Sequence, residues 1–328
     1  DLASQLRLES YLFTREAMQA AYDHLNDDGV FAMYNYYREP WLINRLAGTL
    51  ESVFGHDPCL DQFQGVLAAM TIGKNADNAV CAPGAVWDRA EVLASGGEVP
   101  TPSTDDRPFL YLKDRTIPSV YLLSIVLILA FSLIGIRFFG GRFRQMSGYL
   151  DLFFMGAAFL LLETRSVTTF ALLFGTTWVV NALVFTGVLL AVLLAIEVTQ
   201  RTKGRIPRPW IIAGVFVSLL VAFLIPNEML LGLPVPLRLL SAVAISFAPV
   251  FFANLLFTSR FKDAANPTAA FAANLFGAMV GGTLEYLSLV LGYQWLLAVA
   301  ALLYLAAVLT GQRYLAKARD GEIGRAHV

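Results

Sequence analysis

The sequence predicts an α/β, Rossmann-like doubly wound unit, present as its C-terminal half only, followed by an all-α polytopic membrane bundle of about seven helices. Composition is the first ground for this reading. Of the 328 residues, 57% are hydrophobic and 15% charged, and the mean hydropathy is +0.60. Ordinary soluble domains hold about 45–50% apolar and about 25% charged residues. Charge partition is the second. Residues 1–116 carry nine Lys/Arg against seventeen Asp/Glu, whereas residues 117–328 carry fifteen against eight. Two parts of opposite sign in a near-neutral chain point to two domains in different solvents. The third is order: helix and strand patterns alternate at first, and long charge-free runs follow. The expected boundaries are 1–112 for the α/β unit, 113–314 for the helical domain and 315–328 for a tail.

Tyr11 to Leu25 places Leu12, Met18, Ala21, Tyr22 and Leu25 at helical spacing, with Thr14 as N-cap and Glu16 in the first turn. Asn26-Asp27-Asp28-Gly29 stops that helix, and Val30 to Asn35 reads as a buried strand. A second helix is expected from Pro40 to Phe54, opened by Pro40 and stopped at Gly55. Val66 to Ile72 is the next strand. Helix, strand, helix, strand is the order of the back half of a doubly wound sheet. No glycine-rich strand-to-helix turn is present, so the nucleotide-binding front half is expected upstream of Asp1. Residues 93–108 form a polar, Gly/Pro/Ser/Thr-rich connection, and Phe109 to Arg115 lead into the apolar part.

A membrane span needs about 20 apolar residues. Seven runs approach this: 118–139, 149–174, 177–197, 209–225, 236–258, 266–291 and 293–311. Pro226 and Pro234/Pro236 bracket one loop, and Gly292-Tyr293 marks a tight turn. Trp178, Trp210 and Trp295 fall where interfacial rings are favoured. Basic residues gather at Arg137/Arg142/Arg144, Arg201/Lys203/Arg205/Arg208, Arg260/Lys262 and Arg313/Lys317/Arg319. By the positive-inside rule these four regions are cytoplasmic. Seven spans then put the first domain outside, whereas a nucleotide-cofactor domain belongs inside. The 149–174 run, interrupted by Glu163 and Arg165, is the candidate for a re-entrant segment that would remove this conflict. The tail Glu322-Ile323-Gly324-Arg325-Ala326-His327-Val328 back-translates to a sequencing-adapter read-through and is set apart from the fold.

Cys59 and Cys81 form no metal-ligand spacing and read as two free thiols in a reduced compartment. His24, His56 and His327 are scattered, so no metal site is expected. Glu163-Thr164-Arg165 is charged within an apolar run, where one unpaired charge costs about 2.5–3.5 kcal/mol. Two residues apart on a helix, Glu163 and Arg165 face different sides, so each needs a partner elsewhere or a wet cavity. Glu285 is a second such carboxylate, and an Arg165–Glu285 pair is one expectation. Asn274 precedes Gly277 and Gly281, whose GxxxG spacing allows close helix contact. Tyr34, Asn35 and Tyr36 close the first strand, where the strand ends of an open α/β sheet meet a ligand crevice. Asp105 and Asp106, with the acidic balance of this part, suit a polyamine or another small amine; no nucleic-acid partner is expected.

Leu8-Glu9-Ser10-Tyr11-Leu12-Phe13-Thr14 and His24-Leu25-Asn26-Asp27-Asp28-Gly29-Val30 resemble the segment after the active-site loop of spermidine synthases and related methyltransferases. Thr104-Asp105-Asp106-Arg107-Pro108-Phe109-Leu110-Tyr111 is similar to the T-D-D-x-P stretch of that group. Gly156 to Glu163, Arg165, Phe174-Gly175-Thr176-Thr177-Trp178, Asn274 to Ala278 and Gly281-Gly282 resemble the membrane part of fused, membrane-bound spermidine synthase-like proteins. The resemblance implies a domain that binds S-adenosylmethionine or its decarboxylated form. It also implies aminopropyl transfer to putrescine, or methyl transfer, with an aspartate as general base. Asp1 stands near the position of that aspartate, and Asn35 takes the place of a Gln frequent after the strand. The glycine loop and the ribose-binding acid have no counterpart here, so no cofactor is expected on this chain itself. A second class of function is a membrane transporter or exporter with a degenerate soluble domain, which Glu163, Arg165 and Glu285 favour. Either way the chain is expected in a lipid bilayer, in a bacterial inner (plasma) membrane.

Overall fold

The computed structural model describes residues 10–63, 67–139, 143–175, 177–203 and 205–323, with the side chains of Ser10 and of 312–323 outside that description. Asp1, Leu8, Glu9, Val66, Arg142, Thr176 and the last five residues of the tail lie outside the described residues. The chain divides into two units, Asp1–Thr116 and Ile117–Val328.

In the first unit, helix α1 (Arg15–His24) starts where Thr14 accepts a hydrogen bond from the Ala17 N–H at 3.2 Å. Strand β1 (Val30–Tyr36) follows, and then helix α2 (Pro40–Phe54) opens on its proline and ends at Gly55, whose φ of 80° a side chain would disfavour. Strands β2 (Cys59–Phe63) and β3 (Leu67–Gly73) and the short helix α3 (Arg89–Ala94) complete the unit. The α2 face carrying Leu42, Ile43, Leu46 and Leu50 packs with Ala68, Met70 and Ile72 of β3, Met18 of α1 and Trp87 in one core.

The sheet corrects the expected fold class. It has three strands in the order β1-β3-β2, with β3 antiparallel to both neighbours, and no parallel pair exists among the described residues. The Rossmann-like parallel sheet is therefore absent, and helices dominate the protein. The cause is β2, which adds a strand between the expected helix and the expected second strand. Because β2 and β3 pair as a hairpin partner set (Phe63 opposite Leu67), β3 must run back along the sheet, where it inserts between β2 and β1.

The cysteines are also corrected. Cys59 and Cys81 form a disulfide, with Cα atoms 5.2 Å apart, so there are no free thiols. It ties the start of β2 to the 81–87 segment, where the Leu60 N–H donates to the Ala85 carbonyl and the Trp87 N–H to the Pro58 carbonyl.

The second unit is helical throughout: α4 (Ser119–Phe139), α5 (Phe143–Met146), α6 (Leu150–Phe174), α7 (Trp178–Arg201), α8 (Arg208–Leu224), α9 (Asn227–Leu231), α10 (Val235–Phe261), α11 (Pro267–Leu284), α12 (Ser288–Leu291) and α13 (Trp295–Ile323). Five stretches are long and apolar enough to cross a membrane: Ser119–Phe139, Phe143–Phe174, Trp178–Arg201, Val235–Phe261 and Pro267–Leu291. Arg208–Leu224 and Trp295–Gly311 are shorter apolar helices. Aliphatic and aromatic side chains such as Leu123, Phe131, Leu193, Leu220 and Leu302 face outward along these helices, which only a lipid solvent accommodates on this scale. The protein is an integral membrane protein.

Contacts between helix ends sort them onto two rims. On the first rim, Asp151 at the start of α6 pairs with Arg260 at the end of α10, and Arg208 at the start of α8 pairs with Asp263 at 2.6 Å. The Asn266 N–H, before α11, donates to the Tyr149 hydroxyl, and Ile136 near the end of α4 clusters with Met146 and Ala269. Gly311 of α13 lies here too, since a Cβ on it would be 3.4 Å from an Asp151 oxygen. On the opposite rim, Arg238 at the start of α10 reaches the Leu173 carbonyl, and Gln294, before α13, donates to the Phe223 carbonyl at 2.7 Å. Tyr121, near the start of α4, packs against Tyr286 with tilted rings whose centroids are 5.2 Å apart. Helix α6 runs unbroken from rim to rim over 25 residues, so the expected re-entrant segment is a continuous helix.

Candidate functional site: a polar pocket within the bundle

Three turns before its C-terminal end, α6 presents Glu163, Thr164, Arg165 and Thr169 among apolar neighbours. Successive residues on a helix point about 100° apart, and the structure separates them accordingly. Thr164 donates to a Glu285 carboxylate oxygen at 3.3 Å, just beyond α11. Arg165 turns the other way: its guanidinium donates to the Thr169 hydroxyl one helical turn on, and to the Asn227 side-chain oxygen at 3.5 Å. Glu163 is half-buried and makes no hydrogen bond or ion pair among the described residues.

Arg165 borders a small cavity of about 20 Å³ whose lining includes Ser166, Thr169, Asn227, Ile245, Ser246 and Pro249. Pro249 lies inside α10. Lacking an N–H, it cannot donate to the Ile245 carbonyl four residues earlier, so α10 carries a defect in its backbone ladder where it meets Arg165. A volume of this size holds roughly one water molecule. The wall therefore combines a guanidinium, hydroxyls, a carboxamide and an interrupted helix at membrane depth. Such features occur in membranes where backbone or charge lines a solute path or a wet pocket.

The remaining polar side chains of the bundle hold its frame. Asn274 donates to the Leu152 carbonyl at 3.0 Å, across the α6–α11 seam. Along that seam a Cβ on Gly156, Gly277 or Gly281 would lie 2.1, 1.9 and 2.3 Å from the carbonyl oxygens of Asn274, Phe153 and Ala157. Two helices approach this closely only where side chains are absent. Arg238 donates to the Leu231 and Leu233 carbonyls at 2.6 and 3.1 Å as well as to Leu173, capping the ends of α9 and α6.

The candidates of the first unit fall at separate places. Tyr34 is 86% exposed, and Tyr36 and Asn35 are exposed beside it. They end β1 next to the start of β3, with Tyr36 opposite Leu67, rather than at a crevice between parallel strands. Asn35 accepts the N–H of Tyr36 at 2.8 Å. Asp105 accepts the Thr14 hydroxyl at 2.6 Å, while its own N–H donates to Glu16 at 3.0 Å, so it fastens the 103–107 segment to the start of α1. Asp106 raises the pKa of Arg107 against a net lowering by burial and Arg115. Among the described residues no three His, Cys, Asp or Glu side chains gather as a metal site would require.

Sequence reasoning passed over Arg45, Asn227, Arg238 and Asp151. Arg45 sits on the buried face of α2 and donates to the carbonyls of Leu110, Leu112 and Lys113 at 2.6, 2.8 and 2.7 Å, with Trp41 against its plane. Burial, and then the charge of Arg107, lower its pKa to about 10, against a smaller opposite effect of Asp114. Its signal was an arginine among Leu42, Ile43, Leu46 and Leu50. Pro249, inside a charge-free run, was the corresponding signal for the pocket.

Comparison of the chain with family models, with characterised proteins and with solved structures returns no match. What the fold defines is a class, an integral membrane protein whose helical bundle follows a small unit of helices and a three-stranded antiparallel sheet.

Proposed function

We propose that the bundle is a membrane transporter for small polar solutes, with Arg165 as the group that receives the solute's anionic end. The observation that supports this reading is the pocket where Arg165, Thr169 and Asn227 meet the α10 segment interrupted at Pro249. A guanidinium presents a planar fork of donors that matches a carboxylate or phosphate. Keeping a charged residue at membrane depth costs free energy, which a binding role explains more directly than packing does. At about 20 Å³ the pocket is too small for such a solute, so its admission requires the 225–234 segment or the first half of α10 to move. Pro249 is the natural hinge for that motion.

The test is uptake by proteoliposomes carrying the purified chain, with radiolabelled small carboxylates, phosphate, putrescine and spermidine as probes. Saturable uptake of an anionic probe, lost in Arg165→Gln and retained in Arg137→Gln, is the expected result. Absence of saturable uptake of every probe, or equal uptake by Arg165→Gln, would defeat the proposal.

The second reading, transfer of an aminopropyl or methyl group from an S-adenosylmethionine-type donor to an amine, draws its support from the sequence resemblance. It needs a donor-binding platform other than the antiparallel sheet of this chain. Calorimetric titration with S-adenosylmethionine and its decarboxylated form discriminates the two readings: heat of binding on this chain supports transfer, and its absence leaves transport.

A further inference from the structure

We infer that the first unit, Asp1–Thr116, lies outside the cytoplasm, and that the rim of the bundle nearer to Arg165 opens to that same compartment. Two independent observations converge on this.

The first is the sorting of helix ends. Helix α4 begins at the opposite rim, by Tyr286, and ends at the first rim, by Met146 and Ala269. Helix α6 returns, from Asp151 to Leu173, and α7 follows it after a short link. Helix α8 begins beside Asp263 and ends beside Gln294, antiparallel to α10. Its 17 residues extend about 25 Å, at the lower limit for a span, yet its two ends reach opposite rims. Helix α13 runs from Gln294 to Gly311, from the opposite rim to the first. All seven apolar helices therefore traverse the bundle. If α8 and α13 did not cross, Arg201 and Arg205 would be left on one face of the membrane and Arg260 and Lys262 on the other.

With seven crossings, Arg137, Arg144, Arg201, Lys203, Arg205, Arg208, Arg260 and Lys262 stand together at the first rim, followed in sequence by Arg313, Lys317 and Arg319. The segments 175–177, 225–234 and 285–294 at the opposite rim contain no Lys or Arg. Arg238 is spent on three helix-end carbonyls. The first span alone does not decide, since Arg107, Lys113 and Arg115 precede it and Arg137, Arg142 and Arg144 follow it. The later loops do. Excess positive charge faces the cytoplasm, so the first rim is cytoplasmic. The chain enters α4 from the first unit at the other rim.

The second observation is chemical. Cys59 and Cys81 are joined, within the first unit. Disulfides persist in oxidising compartments and are rare in the cytosol. The charge pattern of the bundle and the redox state of the unit have no physical connection with each other, and they name the same side. The route to Arg165 rests on the transport reading above; the side of the first unit does not.

The experiment is labelling of sealed cells with a membrane-impermeant maleimide, applied to the full chain. Three proteins are compared: the wild type, Glu228→Cys at the opposite rim and Lys262→Cys at the first rim. Wild type should take up no label as isolated from cells and two labels per chain after an impermeant reductant. Glu228→Cys should label without reduction, and Lys262→Cys only after the cells are permeabilised. Met229→Cys, also exposed, substitutes for Glu228→Cys should that variant fail to accumulate. Cysteines in the first unit that label only after permeabilisation would overturn the inference, as would Lys262→Cys labelling in intact cells. Because no solute enters this assay, its failure is distinct from failure of the transport reading, which uptake alone decides.

Discussion

Asp151 and Arg260 form a buried ion pair at the first rim of the bundle, joining α6 to α10, with the Asp151 side chain 1% exposed and that of Arg260 17%. Tyr149 lies against the guanidinium and also receives the N–H of Asn266, so three helix termini meet around one pair. A buried pair is costly to break from one side, because the remaining charge stays desolvated, at about 3–5 kcal/mol. Asp151→Ala should therefore unfold at much lower denaturant in detergent micelles than wild type. The double variant Asp151→Ala/Arg260→Leu should recover most of that loss. Equal stability of the single and double variants would show that the pair is not the linking element.

The α6–α11 seam predicts a contrast between neighbouring glycines. A Cβ on Gly277 would meet the Phe153 carbonyl at 1.9 Å, which is backbone and cannot yield without separating the helices. On Gly282 it would meet only the tip of Leu160 at 2.9 Å, which can rotate away. Gly277→Ala should thus cost about 1–3 kcal/mol as overpacking, and Gly282→Ala much less. Thermal unfolding in one detergent, scored by fluorescence, measures both; similar losses in the two would contradict the seam.

These relationships also show which parts of the molecule local sequence encodes. Thr14, Pro40 and Gly55 mark helix ends by their own chemistry, so α1 and α2 were legible almost to the residue. The apolar helices were legible because lipid imposes composition over a whole segment. Strand β2 was not, since Cys59-Leu60-Asp61-Gln62-Phe63 is short and carries two polar residues. With β2 hidden, the antiparallel insertion of β3 was hidden too, and the order of elements suggested a parallel sheet. The disulfide joins residues 22 apart, and Arg165 meets Asn227 across 62 positions. Pairings at that range follow from topology, which spacing along the chain does not carry.

The disulfide carries a stability prediction apart from its bearing on location. It closes a loop of 22 residues, for which the loss of unfolded-state entropy amounts to about 3 kcal/mol. Cys59→Ser/Cys81→Ser should loosen the β2 edge, with faster hydrogen exchange at the amides of Leu60 and Trp87, which bond to Ala85 and Pro58. Exchange at α6 of the bundle should remain as in wild type. Unchanged exchange at Leu60 and Trp87 would mean that the surrounding hydrogen bonds hold the edge without the crosslink.

Tyr37 offers a pH-dependent test of the first unit's core. Its ring is 3% exposed, and its hydroxyl has no hydrogen-bond partner among the described residues. Burial, with a smaller effect of Tyr111, pushes its pKa from 10.0 up to about 12. A group with a raised folded-state value contributes stability fully below its unfolded pKa, and loses that contribution as pH climbs through the folded one. Wild type should therefore lose stability from pH 10 to about 12 through this group, by on the order of 3 kcal/mol. Tyr37→Phe lacks the ionisation and also removes an unsatisfied buried hydroxyl, so at neutral pH it should be as stable as wild type or more so. Arg45, whose own value lies near 10, affects both proteins alike and cancels in their difference. Hydrogen exchange at α2 amides, compared between the two proteins at pH 8 and at alkaline pH, gives the readout. A gap that widens in favour of Tyr37→Phe as pH rises is expected, and a constant gap would place the Tyr37 hydroxyl in contact with water.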